Sequence, residues 1–470
     1  LEQLDPHSTY IPAEQLRSIN ESLEGEFDGI GIEFLVVDDT LVVITPIAGG
    51  PSETAGVLAG DKIIEVSDSI ISGVEMNAAD VMELLRGKKG TEVNIGILRG
   101  DQFHEFTIIR DKIADNSVDV AYMLDDKTGY IKMNRFSATT YEEFMKSLEQ
   151  LKEKHQLEDL VIDLRGNPGG YLQEATNILS QLFKEKKRLM VYTEGRTVNR
   201  NDYETTGRNF YEVDDIAVLI DEGSASASEI VAGAMQDWDR GVIIGRRSFG
   251  KGLVQEQYRL RDGSALRLTV ARYFTPSGRL IQKDYTEAEN YEEDIHTRFE
   301  HGELYEADSI LVADTTAFQT AGGRTVYGGG GITPDIFVPF DKVLMDKDYL
   351  ILRGHAPGYV FRYIEQNKKS LENIPFATFK DFEVTDQMLR DLVAYADDHG
   401  SKISVATLPK VREPVSNFIK ARIAKHLYGN EGFYATLNQE DDAVLEALQI
   451  LKTDDPVVHD LRKKGVLERQ

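Results

Sequence analysis

The sequence predicts an α/β core that carries an inserted β-rich domain near its start and a helical extension at its end. Three observations predict this. Between Phe27 and about Ile113, short β-rich runs alternate with glycine-bearing turns; beyond Asp125, strand-like and helix-like segments alternate; after about Phe340, the apolar spacing is mostly helical. The expected boundaries are an N-terminal helical segment at 1–26, a β-rich domain at 27–113, a core at 114–340 with an acidic insertion at about 284–326, and a helical region at 341–470.

Taken in order, Tyr10, Leu16, Ile19 and Leu23 recur at helical spacing and end at Gly25, which predicts a short helical lead-in. The runs Gly31–Val37, Leu41–Ile44, Lys62–Val66, Glu92–Leu98 and Glu105–Ile109 are strand-sized, and one helix, Ala78–Arg86, interrupts them. In the core, Phe144, Leu148 and Leu151 mark one face of a helix, and Leu160–Leu164 reads as a buried strand. A helix with Leu172, Ala175, Leu179 and Leu182 precedes a strand at Ile216–Ile220. A helix with Ile230, Ala234 and Trp238 then leads to a strand at Val242–Ile244. Active sites of open α/β sheets collect at the carboxyl ends of strands, so function is expected near residues 163–170 and 221–229. The C-terminal helices are expected at Met388–Tyr395, Val415–His426 and Ala443–Leu451.

Composition excludes several functions. With 53 basic against 80 acidic residues the formal charge is -27, and no local basic patch offsets it, which argues against nucleic acid as a partner. No apolar run approaches the roughly 20 residues that span a bilayer. The absence of cysteine excludes disulfides and thiolate chemistry but identifies no compartment. The chain begins at Leu1 in a segment with neither a charged n-region nor an apolar h-region, so any signal or anchor is expected to lie outside this sequence.

Two segments can carry chemistry. Gly223-Ser224-Ala225-Ser226-Ala227-Ser228-Glu229 lies between a buried strand and an amphipathic helix, where backbone N–H groups favour developing negative charge. Ser226 with Glu229 also spells S-x-x-E, a capping box that starts a helix without any catalysis. In the second segment Lys251 stands between Gly250 and Gly252, and glycines let the backbone bring a lysine close to another element. A lysine acting as a base near neutral pH must be held neutral. Lowering its pKa by about 3 units corresponds to roughly 4 kcal/mol and requires burial. Rival motifs fit poorly: Ser248-Phe249-Gly250-Lys251 and Lys127-Thr128-Gly129 match S-x-x-K and K-T-G in the wrong order and without S-D-N between them. The nine histidines, moreover, form neither a triad nor a metal signature.

Taken together, these segments resemble the C-terminal processing peptidases, or tail-specific proteases, over roughly residues 1–340. The resemblance rests on Leu4-Asp5-Pro6-His7-Ser8, Asp163-Leu164-Arg165-Gly166-Asn167-Pro168-Gly169-Gly170, the stretch around Ser226, Phe249-Gly250-Lys251-Gly252 with Gln255, Thr275-Pro276-Ser277-Gly278-Arg279, and Gly331-Ile332-Thr333-Pro334-Asp335. It implies a ClpP/crotonase-like core and a serine endopeptidase without metal or organic cofactor. Its nucleophile would be Ser226 and its base Lys251, at the family's own spacing, and Gln255 would orient the lysine. The oxyanion donors it implies are the N–H of Ala227 and of Gly169 or Gly170. Ser224 and Ser228 are expected to cap the helix. The β-rich segment resembles a PDZ domain, with Gly29, Ile30, Gly31 and Ile32 where a carboxylate-binding loop belongs, which implies protein or peptide substrates with apolar C-termini. An extracytoplasmic, bacterial periplasmic location is implied as well, and the number of copies is left open. A non-catalytic PDZ scaffold and a crotonase-type acyl-CoA enzyme are the alternatives, although neither has a use for all of Ser226, Lys251 and Gln255.

Overall fold

The computed structural model describes residues 4–74, 78–285, 291, 293–311 and 314–452. Parts of the expected acidic insertion and the last residues of the expected helical region therefore lie outside the described residues. The chain divides into two units, Leu1–Gly25 with Asn116–Asp341 and Asn438–Gln470, and Glu26–Asp115 with Lys342–Leu437.

The first unit is built on a six-stranded sheet in the order Val118–Met123, Thr128–Met133, Asp159–Asp163, Ile216–Ile220, Val242–Gly245 and Ile336–Phe337. Only the first pair is antiparallel. Every residue of Ile216–Ile220 is buried, as an unbroken apolar run in a parallel strand requires when both sheet faces are covered. The helices Thr140–Lys154, Leu172–Leu182 and Ala227–Asp237 contribute Phe144, Leu148, Ile178, Leu179, Val231 and Ala234 to one continuous core. A second sheet pairs Thr9–Ile11, Leu253–Arg259 and Lys186–Glu194 with the long strand Ala265–Phe274.

Three local expectations differ from what is observed. Tyr10 lies in the strand Thr9–Ile11, and the lead-in helix begins only at Ala13, after Pro12, ending at Gly25 with φ 76°. The expected insertion is not featureless. It holds the helix Asp294–Glu300 and the paired strands Asp314–Gln319 and Thr325–Gly328. It is also bound to the core through Glu303, which pairs with Arg247 at 2.7 Å and, within the insertion, with Arg298 at 2.8 Å. Finally, the residues after 341 do not stay together. The helix Asp442–Leu451 packs on the strands of the first unit, and Asp441 pairs with Arg165 at 2.8 Å, whereas 342–437 belong to the second unit.

The second unit contains a six-stranded antiparallel sheet in which Ile32–Val37, Thr40–Pro46, Lys62–Val66, Glu92–Arg99 and Gln102–Ile109 follow in order and the short Ser69–Ile70 pairs with Lys62–Val66, with the helices Pro51–Ala55 and Ala78–Leu85. Its other part is helical: Lys347–Leu371, Asp386–Asp398 and Leu408–Leu437, the last interrupted at Gly429, close around Leu352, Leu392, Val411 and Ile419. The two parts share Val37, Val42 and Phe361. Asp38 binds both Arg362 and His399, at 2.6 and 2.8 Å.

Candidate active site

Ser226 stands where the strand Ile216–Ile220 gives way to the helix Ala227–Asp237, with φ 53° and ψ −111°. An ordinary N-cap serine takes extended backbone angles. A non-glycine residue on the positive side is strained, and such strain collects at sites of function, as in the sharp strand-to-helix turns that expose a nucleophile. The capping element is present as well: the Ser226 N–H donates to Glu229 Oε2 at 2.8 Å.

The neighbouring serines have other work than capping. Ser224 Oγ donates to the Leu164 carbonyl and Ser228 Oγ to the Asn167 carbonyl, both at 2.9 Å. They fasten this turn to the turn at 163–170, which is itself tied down by Asp163. That carboxylate accepts from Tyr130, Lys132 and Arg165. Burial would raise its pKa, but Arg165 and Lys132 outweigh burial and hold it far below the ordinary range.

Gly169 and Gly170 are pressed against this turn and its support. A Cβ at Gly169, whose φ is +95°, would sit 2.6 Å from the Ala225 oxygen and 2.8 Å from both the Ala227 nitrogen and the Ser226 Cβ. A Cβ at Gly170 would sit 2.1 Å from the Phe136 oxygen. The two glycines differ as donors. The Gly169 N–H is taken by Asn167 Oδ1 at 2.9 Å. Gly170 forms a parallel bridge with Phe136 in which Gly169 and Tyr171 make the hydrogen bonds, so its own N–H points the other way. Among the described residues the N–H groups of Gly170 and Ala227 make no hydrogen bond.

Lys251 follows the strand Val242–Gly245 and donates its backbone N–H to Glu229 Oε2 at 2.8 Å. That is the same oxygen that binds the Ser226 N–H, so the two main chains meet at a single acceptor atom. Burial lowers the pKa of the Lys251 ammonium, and Arg267 adds to the effect, while Glu229 and Asp5 oppose it. Gln255 donates its side-chain N–H to the His7 carbonyl at 2.6 Å, and among the described residues it makes no bond to Lys251.

Further polar residues of this neighbourhood carry no catalytic motif that marks them in the sequence. Asp5 gathers the His7 and Ser8 N–H groups and the Ser8 and Thr269 hydroxyls. His7 bonds Tyr291, and burial together with the nearby Lys251 charge lowers its pKa to about 4, so it is neutral at neutral pH. The signal that could have found this shell is the run Asp5 to Ser8, whose density of polar groups before a strand is not needed for a turn alone.

The second unit has its own groove, of about 70 Å³, lined by Ile30, Gly31, Ile32 and Phe34, by Met82 and Leu85 of the helix Ala78–Leu85, and by Arg86 just after it. The N–H groups of Ile30 and Gly31 bind nothing among the described residues, and Gly31 has φ +73°.

A hydroxyl strained at the end of a parallel strand, in a chain that also bears a grooved β-domain, is the architecture of a serine peptidase with a PDZ domain. The profile of Peptidase family S41 matches residues 127–297, that of the PDZ domain residues 29–109, and a family of unknown function residues 348–429. The carboxy-terminal-processing protease of Bartonella bacilliformis is 39% identical over 368 residues, 76% of this chain and 82% of that protein. A probable CtpA-like serine protease of Staphylococcus aureus is 37% identical over 279 residues, 59% of this chain and 55% of that protein. This chain belongs to the carboxy-terminal-processing protease family and is a serine endopeptidase. Among solved structures, the photosystem II D1 C-terminal processing protease is 30% identical, with 58% of this chain and 74% of that chain covered and a TM-score of 0.35. A peptide complex of the PDZ domain of the Vibrio cholerae carboxy-terminal protease is 33% identical, covering 19% of this chain and 97% of that one at a TM-score of 0.18. Among the described residues no helix is long and apolar enough to cross a membrane.

Proposed function

We propose that Ser226 and Lys251 are the catalytic dyad of this endopeptidase and that the PDZ groove selects substrates by an apolar C-terminal tail. The observation that carries the dyad is the shared Glu229 oxygen, which holds the two main chains side by side while burial draws the lysine towards its neutral form. Neutral Lys251 accepts the Ser226 proton, and the alkoxide attacks the scissile carbonyl. The unoccupied N–H groups of Ala227 and Gly170 stabilise the tetrahedral oxyanion; Gly169 is less suited, since Asn167 already holds its N–H. Lysine then protonates the leaving amine, and water releases the acyl-enzyme. Gln255 holds His7 and the N-terminal segment through its side-chain N–H, which leaves its carbonyl oxygen as the group that would orient Lys251.

In the PDZ groove the free N–H groups of Ile30 and Gly31 would receive the terminal carboxylate, and the peptide would add along Ile32–Val37. Membership of a bacterial processing family supports a place of action outside the cytoplasm.

Hydrolysis of an unfolded protein such as casein by the parent, Ser226→Ala and Lys251→Ala tests the dyad. Both variants are expected to lose activity, and the parental rate is expected to rise with pH as Lys251 loses its proton, below the ordinary lysine value. Retained turnover in either variant sinks the assignment.

A further inference from the structure

Glu229 is fully buried on a helix whose neighbours Ile230, Val231 and Ala232 are apolar, a costly place for a carboxyl group unless it is satisfied. It is satisfied four times. Oε1 accepts from Ser248 Oγ at 2.5 Å and the Gly250 N–H at 2.7 Å, while Oε2 accepts from the Ser226 and Lys251 N–H groups at 2.8 Å each. Three of these partners are backbone N–H groups that can only donate, which favours the anion, while burial raises the pKa of the carboxyl and the hydrogen bonds oppose that rise.

The carbonyl groups of the same two residues meet on a second side chain. The Tyr273 hydroxyl lies 3.0 Å from the Ser226 oxygen and 2.5 Å from the Lys251 oxygen. Tyr273 is 1% exposed, and burial raises its pKa well above the ordinary value, so it remains a donor. The main chains of both residues are therefore held on two sides: Glu229 accepts their N–H groups, and the single Tyr273 O–H is shared between their carbonyl oxygens.

We propose that Glu229 and Tyr273 are positioning residues that clamp the main chains of Ser226 and Lys251 to one another, so that two buried side chains set the spacing of nucleophile and base. The inference rests on the dyad proposed above. A misplacement of about 1 Å can cost roughly 100-fold in rate, so a loosened clamp lowers kcat while leaving substrate binding intact.

The test compares Tyr273→Phe and Glu229→Gln with the parent and with Ser226→Ala, reading kcat and KM on casein, the pH profile and the thermal midpoint. Tyr273→Phe, which removes one oxygen and keeps the ring, is expected to lower kcat at least tenfold with KM within twofold and little change in midpoint. Glu229→Gln is expected to lower kcat further and to move the rising limb of the pH profile to lower pH. Its carboxylate is one of the groups that hold Lys251 protonated, the others around that ammonium being Asp5, which acts in the same sense, Arg267, which acts against it, and neutral His7. Parental kcat in Tyr273→Phe, or loss in both variants that only follows the thermal midpoint with the pH limb unmoved, overturns the clamp. Activity retained by Ser226→Ala instead overturns the dyad itself.

Discussion

Replacing Gly169 with alanine adds one methyl group where three atoms of the nucleophile turn already converge. The new Cβ would stand 2.8 Å from Ser226 Cβ and the Ala227 nitrogen and 2.6 Å from the Ala225 oxygen, when ordinary contact begins at 3.4 Å. Two of these are backbone atoms, so the strain cannot be relieved by turning a flexible side chain. Either the turn at 163–170 or the Ser226 turn must retreat by about 0.8 Å, the difference between 2.6 and 3.4 Å at the Ala225 oxygen. The residue must also keep φ +95°, a conformation that costs a non-glycine residue about 1–3 kcal/mol. In stability, a loss of about 2 kcal/mol lowers the thermal midpoint by roughly 4–8 °C in a unit of this size. In catalysis, a displacement approaching 1 Å between Ser226 and the Ala227 and Gly170 donors is expected to cost up to about 100-fold in kcat, about 2.7 kcal/mol of barrier. The assay is casein turnover with the fraction of labelled Ser226 measured by a fluorophosphonate, alongside thermal unfolding. A Gly169→Ala enzyme with parental kcat and midpoint would refute the reasoning, because it would mean that the two turns are not in contact.

Two further outcomes follow from pairs outside the dyad. Arg279 and Asp237 form an ion pair with both side chains 1% exposed, and Arg279 also donates to Gln236. Arg279→Met is expected to cost about 3–5 kcal/mol in urea unfolding by leaving the Asp237 charge buried without its partner, and a change below about 1 kcal/mol would contradict this. His399 is held above its ordinary pKa by the Tyr395 carbonyl and Asp38. Asp38 is held below its own, because Arg362 and His399 outweigh burial. Their contact therefore contributes fully below the unfolded histidine value of about 6.5, fades as pH rises through the raised His399 value, and fades again in acid as Asp38 protonates. Hydrogen exchange of the helices Lys347–Leu371 and Asp386–Asp398 in the full chain should accelerate between pH 6 and 8.5 after correction for intrinsic rates, and His399→Ala should abolish that difference; equal protection at both pH values would rule it out.

Much of the fold is legible from local pattern. The runs Lys62–Val66 and Ile216–Ile220 are strands as read, and the expected helix Ala78–Arg86 appears as Ala78–Leu85. Pattern misled where a short element competed with a longer one. Tyr10 fits the helical spacing of Leu16 and Leu23, yet it precedes Pro12 and pairs in a strand with Leu266. The acidic insertion carries no clear periodicity in the sequence, and part of its order comes from ion pairs with Arg247 and Lys283, which leave no periodic trace. The C-terminal helices read as one region because each has an apolar stripe, and a stripe does not say which surface will cover it.

The sequence by itself determined the chemistry available to this protein: a serine at a strand-to-helix turn, a lysine between glycines further along the chain, and the glycines of the turn before them. Those are local facts, set by residue type and spacing. Tertiary structure alone decided what they do to one another. Glu229, which reads as a helix cap, becomes the shared acceptor of two segments distant in sequence. Packing removes water from around it and leaves three backbone N–H groups and the Ser248 hydroxyl as its partners. Burial is a property of the assembled core, and it is burial that leaves the Glu229 carboxylate with protein partners and draws the Lys251 ammonium towards its neutral form, as the proposed clamp and base require.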